Sequence, residues 1–373
     1  MRPADYRTRP ICNLALNPSF EASSGTVEVR RNHCPNPVPA SATGYGGANG
    51  ATVTFVASPY PAIEVVVPAG GFMDSGVTIA NRAAWPVGEV WTVSFDLEAV
   101  TAGVYRTVYT GDGLPGIADS HTLAAGEKRR ISLTATVATQ AAGSIYIVRP
   151  ADLNAYTFRV SRILIAVGVA GSYFDGGSSP DPDLTPAWTG AANASPAVLT
   201  GVGVASSGAN YGTRQFQSSL WAASGGKSTR LINTVASGER MAFLAGDFST
   251  LIVQPGRTYT ALCKLRIDAP LTGVGSNSRR LLIRWGGAIN GSVGSAQAPN
   301  VAGVHELRVT AAVPAGVSGV MIQANQEGNG NTWWDDLMIV EGVYDGPYRD
   351  GDSPGWAWLG APGWSQSAGP GGL

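Results

Sequence analysis

Gly226-Lys227-Ser228 is the tripeptide most easily mistaken for a phosphate-gripping loop, and its context excludes that chemistry. The first glycine of G-x-x-x-x-G-K-[ST] would fall at Trp221, and the pattern that follows is that of a strand, not a helix. His33, His121 and His305 lie far apart, with no H-E-x-x-H spacing and no cysteine partner, and no G-x-S-x-G elbow occurs. Hydrolysis therefore has no visible nucleophile, and a pair of carboxylates brought together in space is the route left open.

Binding chemistry has better material. A sugar ring packs its axial C–H face on an aromatic plane while its hydroxyls bond to Asp, Asn, Gln and Arg, so a sugar platform needs an outward Trp or Tyr beside polar groups. Trp333 and Trp334 are adjacent, and the period of a strand sends them to opposite faces. With Leu337 and Ile339 pointing inward, Trp333 shares their face and Trp334 points out, beside Arg284, Gln323 and Asn325 as a candidate carbohydrate site. The alternative is that both tryptophans pack against the N-terminal segment or a neighbouring subunit. Trp285 shares parity with Leu281 and Ile283 and is expected in the core.

The elements that would position these groups are strands. Trp91, Val93, Phe95 and Leu97 alternate with Thr92, Ser94 and Asp96, the mark of a half-buried strand. The pattern returns at Tyr259, Ala261, Cys263, Leu265 and Ile267, where Cys263 replaces Phe95 and is expected to be a small buried hydrophobe. Ile131, Leu133, Ala135 and Val137 match Leu307, Val309, Ala311 and Val313; Ile163-Leu164-Ile165 matches Leu337-Met338-Ile339. A signature also occurs twice. Tyr173-Phe174-Asp175-Gly176 and Ser178 precede Trp188-Thr189-Gly190-Ala191, and Tyr348-Arg349-Asp350-Gly351 and Ser353 precede Trp358-Leu359-Gly360-Ala361. A repeat this long indicates duplicated domains, not a solenoid. Trp188 and Trp358 are expected to fill a groove on their own sandwich, with Asp175 and Asp350 capping turns.

Composition agrees. The 373 residues suit about two domains; Gly (49) and Pro (24) are plentiful and charged residues make up 14%, as in short strands joined by many turns. The expected fold is all-β: two tandem jelly-roll β-sandwiches with an extended N-terminal arm. The boundaries read as arm 1–31, first sandwich with its signature 32–200, and second 201–373. Ser367–Leu373 is expected to be mobile unless a partner holds it. A net charge of −1 with lysine almost absent argues against nucleic acid as a partner. The apolar run Ile11–Leu16 is too short for a secretory signal and no stretch is long enough to span a bilayer, so no membrane insertion is expected. Cys12, Cys34 and Cys263 give no complete disulfide framework, although Cys12 and Cys34 could pair. Trp356, Trp358 and Trp364 form an aromatic cluster too dense for an exposed tail, which marks Trp356 and Trp364 as candidate subunit contacts.

Some of these residues carry a resemblance. Asn13-x-x-x-Asn17-Pro18-Ser19-Phe20-Glu21 resembles the opening strand of the β-sandwich carbohydrate-binding modules carried by xylanases and cellulases. Gly225–Leu231, Gln254–Thr260 and Trp334–Ile339 are similar to their early, middle and closing strands; the first unit departs from the pattern with Ser161-Arg162 in place of Asp-Asp. The repeated signature resembles a segment appended to such modules in minor tail proteins of long-tailed actinobacterial phages. That resemblance implies a non-enzymatic virion component at the tail tip, assembled in the host cytoplasm. Its implied partners are other tail proteins, further copies of itself as a homo-oligomer such as a trimer, and host cell-wall polysaccharide. It implies no cofactor apart from a structural calcium ion at Asp335 or Asp336, whose hard oxygen donors suit that ion.

Overall fold

The computed structural model describes residues 11–15, 20–21, 23–70, 75–82, 86–109, 117–139, 143–148, 152, 154–169, 171–204, 214–234, 239–246, 251–360, 362 and 366–370. These residues contain strands and turns and no helix, so no helix is long and apolar enough to cross a membrane. They divide into two compact units. One, the inserted unit, is Arg30–Thr200; the other, the split unit, joins the described residues of Met1–Val29 to those of Gly201–Leu373.

Each unit is a two-sheet sandwich of antiparallel ladders. In the inserted unit one sheet has the order Lys128–Thr136, Val90–Ala99, Tyr156–Val167, Ala62–Val67, Thr52–Val56. The other runs Tyr45–Ala48, Gly76–Arg82, Gly143–Val148, Gly103–Tyr109, Ile117–Leu123. In the split unit the corresponding sheets are Arg214–Ser218, Ser228–Asn233, Gly330–Glu341, Thr258–Ile267, Gly303–Ala312 and Glu239–Ala245, Val317–Glu327, Arg280–Gly287, Gly291–Gly294. The inward sets are those alternation dictates. Trp91, Val93, Phe95 and Leu97 share a core with Ile131, Leu133, Ala135 and Val137. Tyr259, Ala261, Cys263 and Leu265 share one with Leu307, Val309, Ala311, Val313 and Trp285. Cys263 is fully buried at the position of Phe95, and burial raises its thiol pKa. The described cysteines form no disulfide.

The described residues among the first 29 do not form the separate arm expected for 1–31 but belong to the split unit. Ala15 and Phe20 lie in the core of the split unit, Leu14 N–H donates to Ile339 O at 2.8 Å, and Gln217 Nε2 donates to Phe20 O at 2.7 Å. The inserted unit thus interrupts the chain of the other after its opening segment. Nor is the C-terminal tail loose over its described residues. Ser367–Ala368 pairs with both Cys12–Asn13 and Ala357–Trp358, and Gly369 N–H donates to Ile11 O.

Asn13-Leu14-Ala15-Leu16-Asn17-Pro18 and Asn32-His33-Cys34-Pro35-Asn36-Pro37 echo one another in the sequence, and the echo has a physical meaning. Asn13 and Asn32 are fully buried and saturate their side chains in the same way. Asn13 Nδ2 donates to Leu337 O and Arg349 O, while its Oδ1 accepts from Ala15 N and Ile339 N. Asn32 Nδ2 donates to Ile163 O and Phe174 O, and its Oδ1 accepts from Cys34 N and Ile165 N. One amide in each unit therefore clamps the opening segment, the closing strand and the signature together.

Both closing strands carry a bulge at the same place. Asp96 and Ser94 face Ser161 and Leu164, and Lys264 and Leu262 face Asp335 and Met338, so one residue is added on the closing strand each time. Arg162 (φ 49°) and Asp336 (φ 55°) take the left-handed conformation at these bulges. Outside the five-stranded sheet of the split unit, Leu262, Met338, Val340 and Tyr344 pack with Ile11, Tyr348 and Trp356. The sheet that alternation marks as half-exposed is thus covered on both sides.

Candidate functional site

The open question of chemistry falls on the four-stranded sheet of the split unit. Period two turns Leu281, Ile283, Trp285, Val320, Ile322 and Ala324 into the core and leaves Leu282, Arg284, Met321, Gln323 and Asn325 on the opposite face. Antiparallel register sets Leu282 across from Gln323 and Arg284 across from Met321. On that face the three polar side chains meet. Arg284 Nη1 donates to Gln323 Oε1 at 3.2 Å, and Gln323 Nε2 donates to Asn325 Oδ1. Gln323 and Asn325 are fully buried, whereas Arg284 is half-buried. The two amides therefore fix the guanidinium as the member that meets solvent. The neighbouring edge strand offers exposed Ser292 and Gly294 opposite Arg284 and Leu282, small residues that leave these side chains uncrowded on that flank.

Trp334, expected as the aromatic of this site, is not there. It is fully buried in the core with Leu337 and Ile339, and its indole N–H donates to Thr332 Oγ1 at 2.9 Å. The cause is the bulge at Asp335-Asp336: the extra residue reverses parity, so Trp334 shares a face with Leu337 and Ile339 and Trp333 takes the other. Trp333 is buried as well, with its N–H on Ser218 Oγ at 3.0 Å. Arg230 and Arg266, its neighbours in register, place guanidinium carbons 5.0 and 5.7 Å from its ring centroid, and Arg230 also lies over Phe216. This Phe216–Arg230–Trp333–Arg266 ladder ties four strands; desolvated cation–π contacts are each worth about 0.5–2 kcal/mol. The signal for the reversal was in the sequence, since two aspartates are poor strand formers and Asp tolerates positive φ.

Asp335 and Asp336 do not offer a cation their oxygens. Asp335 Oδ2 accepts from Ala223 N (2.5 Å) and Ser224 N (3.3 Å), and Oδ1 from Asp336 N (2.8 Å). Asp336 Oδ1 accepts from Ser224 Oγ at 2.5 Å, and its Oδ2 lies 2.7 Å from Lys264 Nζ. An ammonium thus stands against the carboxylate a calcium ion would need, and the described residues hold no cluster of three or more metal-ligating side chains. The residues do not fit the expected ion.

The remaining sequence candidates fall as follows. Trp356 is half-buried against the Leu262–Tyr344 cluster of its own unit; Trp364 lies outside the described residues. The signature serves its own sandwich: Tyr173 and Tyr348 hydroxyls donate to Asp175 and Asp350, which accept the Gly177 and Asp352 amides. Gly176 and Gly351 are required because an added Cβ would lie 2.3 and 2.2 Å from the rings of Trp188 and Trp358. Gly226-Lys227 also finds an anion within the chain, its two amides donating to Glu21 Oε1 at 2.6 and 2.8 Å. Glu64 and Glu98 are bridged by Arg159 at 2.9 and 3.6 Å, and Glu98 also accepts from Tyr60, so both carboxylates are engaged within the chain. His121 meets both Thr107 and Asp119 through the same Nε2, which is not a relay.

No protein-family model and no curated protein matches the chain. Among solved structures, the N-terminal CBM22-1–CBM22-2 tandem domain of Xyn10C from Paenibacillus barcinonensis aligns over 87% of this chain and 99% of its own, at 10% identity and a TM-score of 0.30. A CBM4 structure aligns over 34% and 96%, at 23% identity and a TM-score of 0.29. A family 11 carbohydrate-binding module from Clostridium thermocellum, in complex with a β-1,3-1,4-mixed-linked tetrasaccharide, aligns over 39% and 100%, at 16% identity and a TM-score of 0.26. These neighbours are carbohydrate-binding modules; others are an arabinofuranosidase and agarases, of which the match covers about a quarter. Such identities and TM-scores carry no functional argument on their own.

Proposed function

We propose that the chain is a non-enzymatic glycan-binding protein that engages polysaccharide through the outer face of the split unit's four-stranded sheet. The observation that carries this reading is the Arg284–Gln323–Asn325 chain. A half-buried arginine whose guanidinium donates to buried Gln323, itself held by buried Asn325, is a pre-oriented donor, and pre-orientation reduces the side-chain ordering that binding a sugar hydroxyl would otherwise require. The half-buried apolar neighbour Leu282 supplies a surface for the C–H edge of a ring. One such face binds weakly, and several copies on one particle raise avidity by about 10² to 10⁴ without new contacts.

The repeated Y-x-D-G and W-x-G-A signature supports placing the chain at a phage tail tip, in contact with other tail proteins and with host cell-wall polysaccharide. Immunogold labelling of particles tests the placement, and label at any other position on the particle, or none, removes it. Native gels cast with soluble wall polysaccharide test the binding. Retardation of the wild type and its loss in Arg284→Ala are expected, and unchanged mobility of the wild type across wall polysaccharides would end the reading.

A further inference from the structure

We infer that the outer face of the split unit's four-stranded sheet selects anionic polysaccharide, with Arg280 and Arg284 together receiving the carboxylates or phosphates of the polymer. The inference rests on the glycan reading above and names the class of glycan. Arg280, Leu282 and Arg284 alternate with the core residues Leu281 and Ile283, so period two puts all three on the outer face. The two arginines converge on Leu282 from opposite sides. On one flank Gln323 stands opposite Leu282, and Arg284 leans back to it, with Nη1 3.2 Å from Oε1. On the other flank Gly294 stands opposite Leu282, and a Cβ added there would lie 3.6 Å from Leu282 Cγ and 3.8 Å from Arg280 Cδ. The Arg280 stem therefore runs beside Leu282 over this glycine.

The charge on this face is not balanced from within. Arg280 Nε is buried without a hydrogen-bond partner, and among the described residues no carboxylate pairs with its guanidinium. Asn325, opposite Arg280, gives its Oδ1 to Gln323. Glu327, the next carboxylate along the facing strand, is turned onto Gly275, where an added Cβ would lie 1.6 Å from its Oε2. Arg279 adds a third guanidinium at the start of the strand: it is buried, donates from Nε to Ala298 O at 2.9 Å and leaves Nη1 without a partner. In a chain of net charge −1 this is a local excess of positive charge, which draws an anion to this face and not to the molecule at large.

A neutral sugar hydroxyl would use little of that excess. A guanidinium matches a carboxylate or phosphate with two parallel N–H donors, and hydrogen bonds to a charged acceptor are about twice as strong as those to a neutral one. Leu282, set between the two cations, meets the C–H edge of the ring that carries the charge.

Titration calorimetry on the full chain tests this with polygalacturonate, the same polymer with its carboxyls reduced to alcohols, and poly(glycerol phosphate). The wild type should bind at least one charged polymer about tenfold or more tighter than the reduced one, and the preferred polyanion tells carboxylate from phosphate. In Arg280→Gln that ratio should fall to within about threefold of unity. Should Arg280→Gln fail to fold, Ser292→Glu replaces it: Ser292 is exposed on the edge strand opposite Arg284, and a carboxylate there should erase the preference by supplying the anion internally. Equal affinity of the wild type for charged and reduced polymers overturns the inference and leaves the glycan reading standing. A preference that survives the folded variant overturns it as well, and so does single-stranded DNA bound as tightly as the charged polysaccharides, which would mark a general polyanion surface. If none of the three polymers is bound the inference falls, and the wall-polysaccharide gels decide the glycan reading separately.

Discussion

At the scale of single residues, the acidic pair at the bulge sets the pH response. Burial, then the adjacent Asp336, pushes Asp335 up to about 8, against the three backbone amides that favour its charge. A carboxyl raised in the folded state binds more protons there than in the unfolded chain, so its stabilising contribution is full below about pH 4 and is lost as pH rises through 8. Stability of the split unit should therefore fall between pH 4 and 8, and Asp335→Asn should flatten that fall. Urea unfolding midpoints at closely spaced pH values check this, and an unchanged slope in the variant would contradict it. The same residues limited the sequence reading. Arg284, Gln323 and Asn325 were legible as neighbours because each lies within an unbroken alternating strand, whereas Trp334 was misplaced because parity counted from Leu337 runs across the added residue at Asp336.

At the scale of elements, alternation located the core strands of both units, and the signature marked the segments that cover them. What it could not show is which strand the opening segment joins, because that pairing is set by long-range hydrogen bonds and not by local pattern. The Asn-Pro steps at Asn17-Pro18 and Asn36-Pro37 read as turn signals, and Asn36 does bond locally, to Ala40 N, Ser41 O and Thr43 O; the asparagines that open the two segments, Asn13 and Asn32, are tertiary clamps. Asn13→Ala leaves two carbonyls and two amides of the split unit without partners, and unmet buried groups cost about 1–3 kcal/mol each before relaxation. A loss of about 2–5 kcal/mol is expected for Asn13→Ala in the split unit and for Asn32→Ala in the inserted unit. Asn13→Asp should be no milder, since it keeps the acceptor and loses both donors. Denaturant curves read on each variant measure the loss, and a change below about 1 kcal/mol at either position would show that the clamp is dispensable.

At the scale of the whole molecule, duplication was legible from the sequence and the interruption of one copy by the other was not. The split unit takes Asn13, Ala15 and Phe20 from one end of the chain and its remaining strands from the other. A polypeptide starting at Gly201 should therefore lack a cooperative unfolding transition, and fusing residues 1–29 to it through a flexible linker should restore one. Circular dichroism melts of the two polypeptides distinguish the cases; equal cooperativity would mean that the opening segment is dispensable.

The functional reading is tested most directly by hydrogen–deuterium exchange on the full chain with and without soluble wall polysaccharide. The account predicts added protection concentrated in Arg280–Gly287 and Val317–Glu327, absent in Arg284→Ala. Protection confined to the five-stranded sheets, or an exchange pattern unaffected by a saturating polysaccharide that the protein demonstrably binds, would contradict it.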